Sequence, residues 1–471
     1  MELDKHASFD GRLVMIGFGS IGQAALPLIL RHIDLSRERI LILAADDHGQ
    51  KVADEYGVKL AVSPLEPDNY QEILEPLLGK GDFLLNLSVD VSSAALIEWC
   101  LPQGVFYLDA SIEPWAGGYT DSSLPPSARS NYALREQVLE LKRKHPRAAT
   151  AAVTHGANPG LISHWVKQGV VNIARDVLGG VEIPQSREEW GRLAMKLGIK
   201  VIHCAERDTQ VAEPRKQRME FANTWSVEGF LGEGRQPSEL GWGTHERHFP
   251  PDGHRHDFGS DSAIYLGRPG MSVKVRSWTP DEGPYHGFLI THGESISIAD
   301  YFTLNENGRA IYRPTCHYAY HPCDDAVLSN HELAGKNWVE QPKHRIFIEE
   351  IFEGVDELGA LLMGHAKNAY WFGSRLSIQQ ARALAPFNNA TSLQVVAGVL
   401  GAMVWVLENP EAGIVEPDEL DHRRVLDIAD PYLGDIVGKY TDWTPLEQRG
   451  WLFEEDVDKT DPWQFKNFRV A

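Results

Sequence analysis

The sequence predicts an α/β protein with two parts, a Rossmann-type doubly wound parallel sheet and a second, mixed α+β substrate domain. Three observations carry this. Short apolar runs alternate with helix-period segments through the first third of the chain. The first run leads directly into Gly17-Phe18-Gly19-Ser20-Ile21-Gly22. Beyond about residue 158, β-prone runs are joined by long polar or Gly/Pro-rich connections, as in a partly antiparallel sheet.

In order along the chain, residues 13–17 are apolar and β-prone, and a helix is expected over 21–31. Further strands are expected over 39–43, 59–63, 83–88, 105–109 and 151–154, with helices over 48–56, 69–78, 92–100 and 131–144. That spacing means βαβ units and a parallel sheet. In the middle of the chain, residues 201–205, 219–225, 273–278, 287–292, 297–303, 309–318 and 345–349 are β-like. Residues 229–259 are rich in Gly, Pro, His and charge and read as one long surface or active-site loop. The expected division is a nucleotide-binding domain over 1–158, a substrate and dimerisation domain over 159–385, and a C-terminal segment over 386–471. The helix expected at 393–407 would return to pack on the first domain.

A chain of 471 residues exceeds one ordinary core. Its composition, 43 % hydrophobic and 24 % charged, is that of a globular protein. A net charge of −21 speaks against a nucleic-acid partner, which needs clustered Lys and Arg, and favours cations. The apolar run 393–407 contains Gln394 and is followed at once by Glu408 and Asn409. It is too short to span a bilayer, so a buried helix and no membrane partner are expected. Glu2, Asp4 and Lys5 leave no room for an apolar signal segment, and four cysteines do not make a disulfide framework. A cytoplasmic location is expected.

The glycine motif has a mechanism. Gly17 would make the tight turn, Gly19 would let a pyrophosphate approach the backbone, and Gly22 would let the helix pack close to the strand. The following helix would present Ser20 and Ile21 at its N-terminus, where unpaired N–H groups favour phosphate. Asp46 and Asp47 follow Leu43-Ala44-Ala45, a residue or two beyond the usual place of the ribose-binding acid. An acid there repels a 2′-phosphate, so NAD is the expected cofactor. The competing role for Asp46 is to cap the next helix.

Further segments carry a resemblance. Asn86-Leu87-Ser88-Val89-Asp90, Tyr107-Leu108-Asp109, Glu113-Pro114-Trp115 and Gly156-Ala157-Asn158-Pro159-Gly160 resemble the saccharopine dehydrogenase superfamily. More narrowly they resemble bacterial homospermidine synthases. The match tightens at Ala205–Thr209, Asn223–Gly229, Gly241–Thr244, Thr291–Ser295 and Cys316–Pro322, and it extends to Asp461-Pro462-Trp463. The resemblance implies synthesis of homospermidine from two putrescines with release of ammonia, with spermidine as an alternative aminobutyl donor. It implies NAD that stays bound and is regenerated, and a homodimer. It implies a substrate pocket of Glu113, Asn158, Glu206, Trp225, Glu233, His292 and Glu294, with Asp90 at its mouth. Of these, Asn158, Glu206, Trp225, His292 and Glu294 would do the chemistry. Cofactor contacts would come from Gly17, Gly19, Ser20, Ile21, Gly22, Asp46, Asn86, Ser88, Asp109, Asn158 and Pro159.

The residue types suit that chemistry. A diamine is a dication, which carboxylates can hold at both ends and an aromatic face can hold without a bond. Trp225 offers such a face; on its own, a Trp on a strand is more simply a core residue. His292 and Glu294 are two apart on an expected strand, so they would share one side and could shuttle a proton. The plainer reading is a polar exposed face. Glu206 and Asn158 follow expected strand ends, where α/β sites form, although an Asn before Pro159 is also a turn former. Cys316, His317, His321 and Cys323 are soft-metal ligands by type, but an adjacent Cys and His on a strand suit a common metal poorly, so no metal is expected. No Lys stands out in the matched motifs for a Schiff base. Two rivals remain: a net dehydrogenase of the same superfamily, whose carboxylate-bearing substrate would need Arg or Lys, and a non-catalytic NAD-sensing protein.

Overall fold

The computed structural model describes residues 5–470. Seven parallel strands form the first sheet, in the order Ile414–Val415, Ala151–Ala152, Phe106–Asp109, Phe83–Asn86, Leu13–Ile16, Ile40–Ala44, Lys59–Val62. Counted along the chain, the first six run 3-2-1-4-5-6, the doubly wound order. The seventh comes from the far C-terminal segment. Alternate side chains leave opposite faces of each strand. Leu13 and Met15 accordingly join one apolar core and Val14 and Ile16 another. Both faces are covered, which is why these strands read as continuous apolar runs.

A mixed sheet of ten strands follows. Its one parallel pair, Val201–Asp208 beside Thr315–His321, lies at its centre; all other neighbours are antiparallel. The long hairpin Val355–His365 and Asn368–Ser377 has no alternating signature in the sequence because both strands are buried almost throughout. Asp435–Thr441 adds the last strand.

Helix Ala390–Glu408 packs on helix Ser20–His32 and also touches the long hairpin, so it is wedged between the two sheets. It is long and apolar enough to cross a membrane by length and composition, but 89 % of its apolar window is buried inside the protein.

Two local expectations are corrected. Residues 292–303 do not form a strand. His292 is the N-cap of helix Gly293–Tyr301, and Glu294 lies in its first turn. Ser295-Ile296-Ser297-Ile298 alternates like a strand, but this helix is buried on nearly every side, against Pro237–Gly241 and Thr315–His321, so it has no polar face to display. Residues 229–259 are not one loop either. Glu233 lies on helix Val227–Arg235, and strand Pro237–Gly241 follows. The glycines that suggest a loop serve close packing: a Cβ on Gly234 would lie 2.3 Å from Met271, and one on Gly232 3.1 Å from Tyr119.

Candidate active site

The carboxyl ends of the parallel strands face the centre of the mixed sheet across a cleft of about 830 Å³, measured out to its open mouth. Ile21, Asn86, Ser88, Ser111, Glu113, Asn158 and Pro159 line it from the first domain. Glu206, Trp225, Glu233, His292 and Tyr318 line it from the mixed sheet and the helices beside it, and Thr391 from the wedged helix. Ligands of open α/β sheets bind at such strand ends.

The glycine turn fits a dinucleotide. Gly17 has φ +84°, and a Cβ there would lie 2.7 Å from the backbone of Leu87 and Ser88. A Cβ on Gly22 would lie 2.6 Å from the Gly17 carbonyl oxygen, whereas Gly19 faces open space. Gly19 caps helix Ser20–His32 with no side-chain hydrogen bond, and no acid stands in the first turn. The N-terminal N–H groups are left for an anion. Asn86 accepts from the Ser88 N–H and hydroxyl at 3.2 and 2.6 Å, which orders the turn beside Gly17. Asp46 is exposed beyond strand Ile40–Ala44 and accepts the His48 N–H at 3.0 Å. Asp109 is placed apart: it is fully buried and accepts from the Tyr107 hydroxyl at 2.7 Å and the Thr154 N–H at 2.5 Å, so it ties the strand ends together.

Three acids reach the cleft. Glu113 is buried, its N–H donating to the Ser93 hydroxyl at 3.1 Å and its carboxylate accepting from Ser111 at 3.3 Å. Burial pushes its pKa up to about 8; nearby Glu233 adds to the rise and Tyr119 opposes it. Glu206, near the end of its strand, accepts from Asn158 at 2.9 Å and from the Tyr318 hydroxyl. Burial drives it up to about 8 as well, against the Tyr318 and Asn158 hydrogen bonds and the attraction of His292. Glu233 meets His292 Nε2 at 3.0 Å, and Glu294 meets Nδ1 at 3.2 Å. Burial opposes a charge on His292, but Glu294 and Glu233 outweigh it and hold the imidazole well above its usual pKa. Glu294 is buried behind His292 and does not line the cleft. Asp90 is exposed at the outer side with φ +63°, its carboxyl raised by burial and then by Glu228 and Glu340.

Trp225 is half-buried, its ring centroid 5.4 Å from that of Phe230. Tyr318 and Tyr320 stack with centroids 5.0 Å apart, and Tyr318 also lies 4.3 Å from His292. These tyrosines were legible in principle: Cys316, Tyr318 and Tyr320 alternate on one face of their strand. On the other face His317 lies against His203, their ring centroids 4.0 Å apart and the planes tilted by 35°. Among the described residues no group of three or more His, Cys, Asp or Glu could hold a metal ion. Thr391 had no sequence signal.

The family model described as the saccharopine dehydrogenase NADP binding domain matches residues 13–153, and the saccharopine dehydrogenase C-terminal domain matches residues 156–441. A homospermidine synthase of Blastochloris viridis is 54 % identical over 466 residues, 98 % of each chain. The chain belongs to the homospermidine synthase family. A second homospermidine synthase, of Mesorhizobium japonicum, is 50 % identical over 99 % of this chain and 97 % of its own. The crystal structure of a homospermidine synthase of Legionella pneumophila in complex with NAD superposes with TM-score 0.92 at 50 % identity, over 98 % of each chain. Apo saccharopine dehydrogenase of Saccharomyces cerevisiae matches with TM-score 0.51 at 9 % identity, over 92 % of this chain and all of its own, which shows a shared fold. The homospermidine synthase family therefore rests here on the same two-sheet framework as that dehydrogenase.

Proposed function

We propose that this protein is an NAD-dependent homospermidine synthase, transferring an aminobutyl group from putrescine or spermidine to putrescine with release of ammonia or diaminopropane. One observation carries the choice over a dehydrogenase: among the described residues that line the cleft, Glu113, Glu206 and Glu233 are charged by type and no Lys or Arg is present. A carboxylate-bearing substrate would find only His292, already held between Glu233 and Glu294, whereas a dication meets three carboxyl groups, two of which can ionise to receive it. The exposed acid Asp46 supports NAD over NADP. The four buried free cysteines suit a reducing cytoplasm, and the family resemblance is the ground for a homodimer.

Bound NAD supplies a reversible hydride acceptor. The residues supply the rest. Glu206 and Glu113 hold ammonium groups when ionised, and a pKa of about 8 lets Glu206 take and return a proton near neutrality. His292, kept charged between Glu233 and Glu294, donates hydrogen bonds and fixes the orientation of both acids. Trp225 offers its face to the cation that persists between the two hydride transfers. The first ammonium loses one proton as hydride leaves its carbon, giving an iminium. The second amine attacks that carbon, its own ammonium proton passing to the departing nitrogen, so that ammonium leaves and a substituted iminium remains. The final hydride return gives a secondary amine, which regains the proton. Electrons and protons both balance over the cycle.

The test is turnover of putrescine with NAD far below the substrate concentration. Homospermidine and ammonia should appear in equal amounts without accumulating NADH. NADH rising in step with product would establish the net dehydrogenase instead, and no turnover would leave the NAD-sensing reading.

A further inference from the structure

Behind Glu206 on the cleft wall stand two more acids, Asp208 and Asp356, which the cycle above leaves unused. Glu206 and Asp208 alternate on strand Val201–Asp208, so they share a face. Asp356 is the antiparallel partner of Asp208 and belongs to the same face. All three are buried, and among the described residues no Lys or Arg donates to any of their carboxylates. Two hydroxyls link the rear pair: Thr224 donates to Asp208 at 2.8 Å, Thr391 donates to Asp356 at 2.5 Å, and the hydroxyls lie 3.4 Å apart. Gln210 Nε2 bridges Asp208 and Thr391 at 3.1 and 3.0 Å. Asp356 Oδ1 is buried without a hydrogen-bond partner. Thr391 also lines the cleft, so this chain of groups reaches the substrate space.

We propose that Asp208 and Asp356, linked through Thr224 and Thr391, are the internal proton store of the reaction, holding for Glu206 the proton lost at the first hydride transfer until the last amine takes it back. The inference rests on the homospermidine synthase reading. Three neighbouring buried carboxyls with no cationic side chain bonded to them do not all ionise together, so at least one proton is shared among them. Burial raises Glu206 to about 8, lifts Asp208 above the usual carboxylate range and lifts Asp356 further, aided by Glu206 and Asp208. Tyr318, Tyr320, Cys323 and His292 face the trio from neighbouring elements, and Arg207 and Glu357 flank it on its own strands. Of these, Arg207, His292 and the Tyr318 hydrogen bond to Glu206 favour the ionised acids. The unpartnered Asp356 oxygen is the natural seat of the stored proton. A store is useful because the proton released early is needed late, and retaining it removes any requirement for exchange with solvent between the two steps.

The test compares the parent with Asp356→Asn and Asp208→Asn, both near-isosteric. In the folded variants kcat should fall roughly a hundredfold, the low end of what a positioned proton-transfer group contributes. The KM for putrescine and the melting temperature should change little, and the pH profile of kcat should shift. Unchanged kcat and pH profile in a folded variant, or a rise in KM alone, overturns the proposal. A structural role predicts the opposite pattern, a lower melting temperature with kcat per folded molecule retained. If both variants fail to fold, Thr391→Val cuts the link without altering charge, and the same kcat and pH readouts decide. A parent that makes no homospermidine in this assay removes the functional reading itself, and this inference with it.

Discussion

Trp225 Nε1 donates to the Tyr320 hydroxyl at 3.0 Å, which pins the indole beside the Tyr318–Tyr320 stack on the wall of the cleft. A ring held in this way can offer its face to a cation without losing orientation. A cation over Trp is worth on the order of 0.5–2 kcal/mol, so removing it should slow turnover by about two- to thirtyfold. Activity should follow the order Trp, then Trp225→Phe, then Trp225→Ala, with NAD binding retained. If the indole were only a core residue, Trp225→Ala would lower the melting temperature on the order of several degrees and leave turnover per folded molecule intact.

His292 should titrate far above an ordinary histidine. Removing either carboxylate partner, by Glu294→Gln or Glu233→Gln, should bring its pKa down, as read by proton NMR of the ring. The sign for stability follows. Since the folded pKa is raised, the contribution of His292 is fully present below its unfolded value of 6.5 and is lost as pH rises through the elevated folded value. In Glu294→Gln that dependence should flatten; an unchanged profile would mean the ring is neutral in the folded protein.

Glu113 and Glu206 give the opposite kind of test, on the ligand. Both are largely neutral below about 8 in the ligand-free protein. Putrescine, a dication, should therefore bind more tightly as pH rises from about 6 to 8, releasing protons as the acids ionise. Titration calorimetry near pH 7 in two buffers of different ionisation enthalpy measures that release. Identical heats would show both acids to be charged already. Without ligand, the same groups should make the fold progressively less stable as pH rises from their ordinary value of 4.5 to about 8, because the folded state holds the protons more tightly.

Gly49, not Asp46, is the N-cap of the next helix, so a cofactor role for Asp46 competes only with its hold on the His48 N–H. Asp46→Ala should weaken NAD roughly tenfold or more, the usual cost of a lost hydrogen bond to a charged group, and should narrow the preference over NADP. If the residue serves only the His48 N–H, the melting temperature should fall slightly and the ratio of the two cofactor affinities should stay put.

Much of the first domain was legible because its physics is local. Apolar strands of four or five residues and the glycine turn announce themselves within a few residues of chain. The site was legible only where motifs sat at strand ends, as with Glu113, Asn158 and Glu206. Glu233 was named from the resemblance but expected in a loop, because the glycines beside it serve contact with Tyr119 and Met271 on a helix and not a flexible turn. His292 and Glu294 were expected on one strand; the helix cap instead sets Glu294 at Nδ1 of the His292 ring, whose Nε2 meets Glu233. Asp356 and Thr391 carry no local signal at all. Only the tertiary pairing of distant strands and the wedged helix brings them to Asp208.

The strand Ile414–Val415 sits beside Ala151–Ala152, and Asp435–Thr441 closes the other sheet. The last stretch of chain therefore stitches both halves of the molecule. As the polypeptide is synthesised, the first sheet must wait with an open edge until more than two hundred further residues have been added. The nucleotide-binding half is thus not an autonomous module that could be cut away and moved to another protein. A chaperone that shields that edge during synthesis would act on folding yield without touching the chemistry.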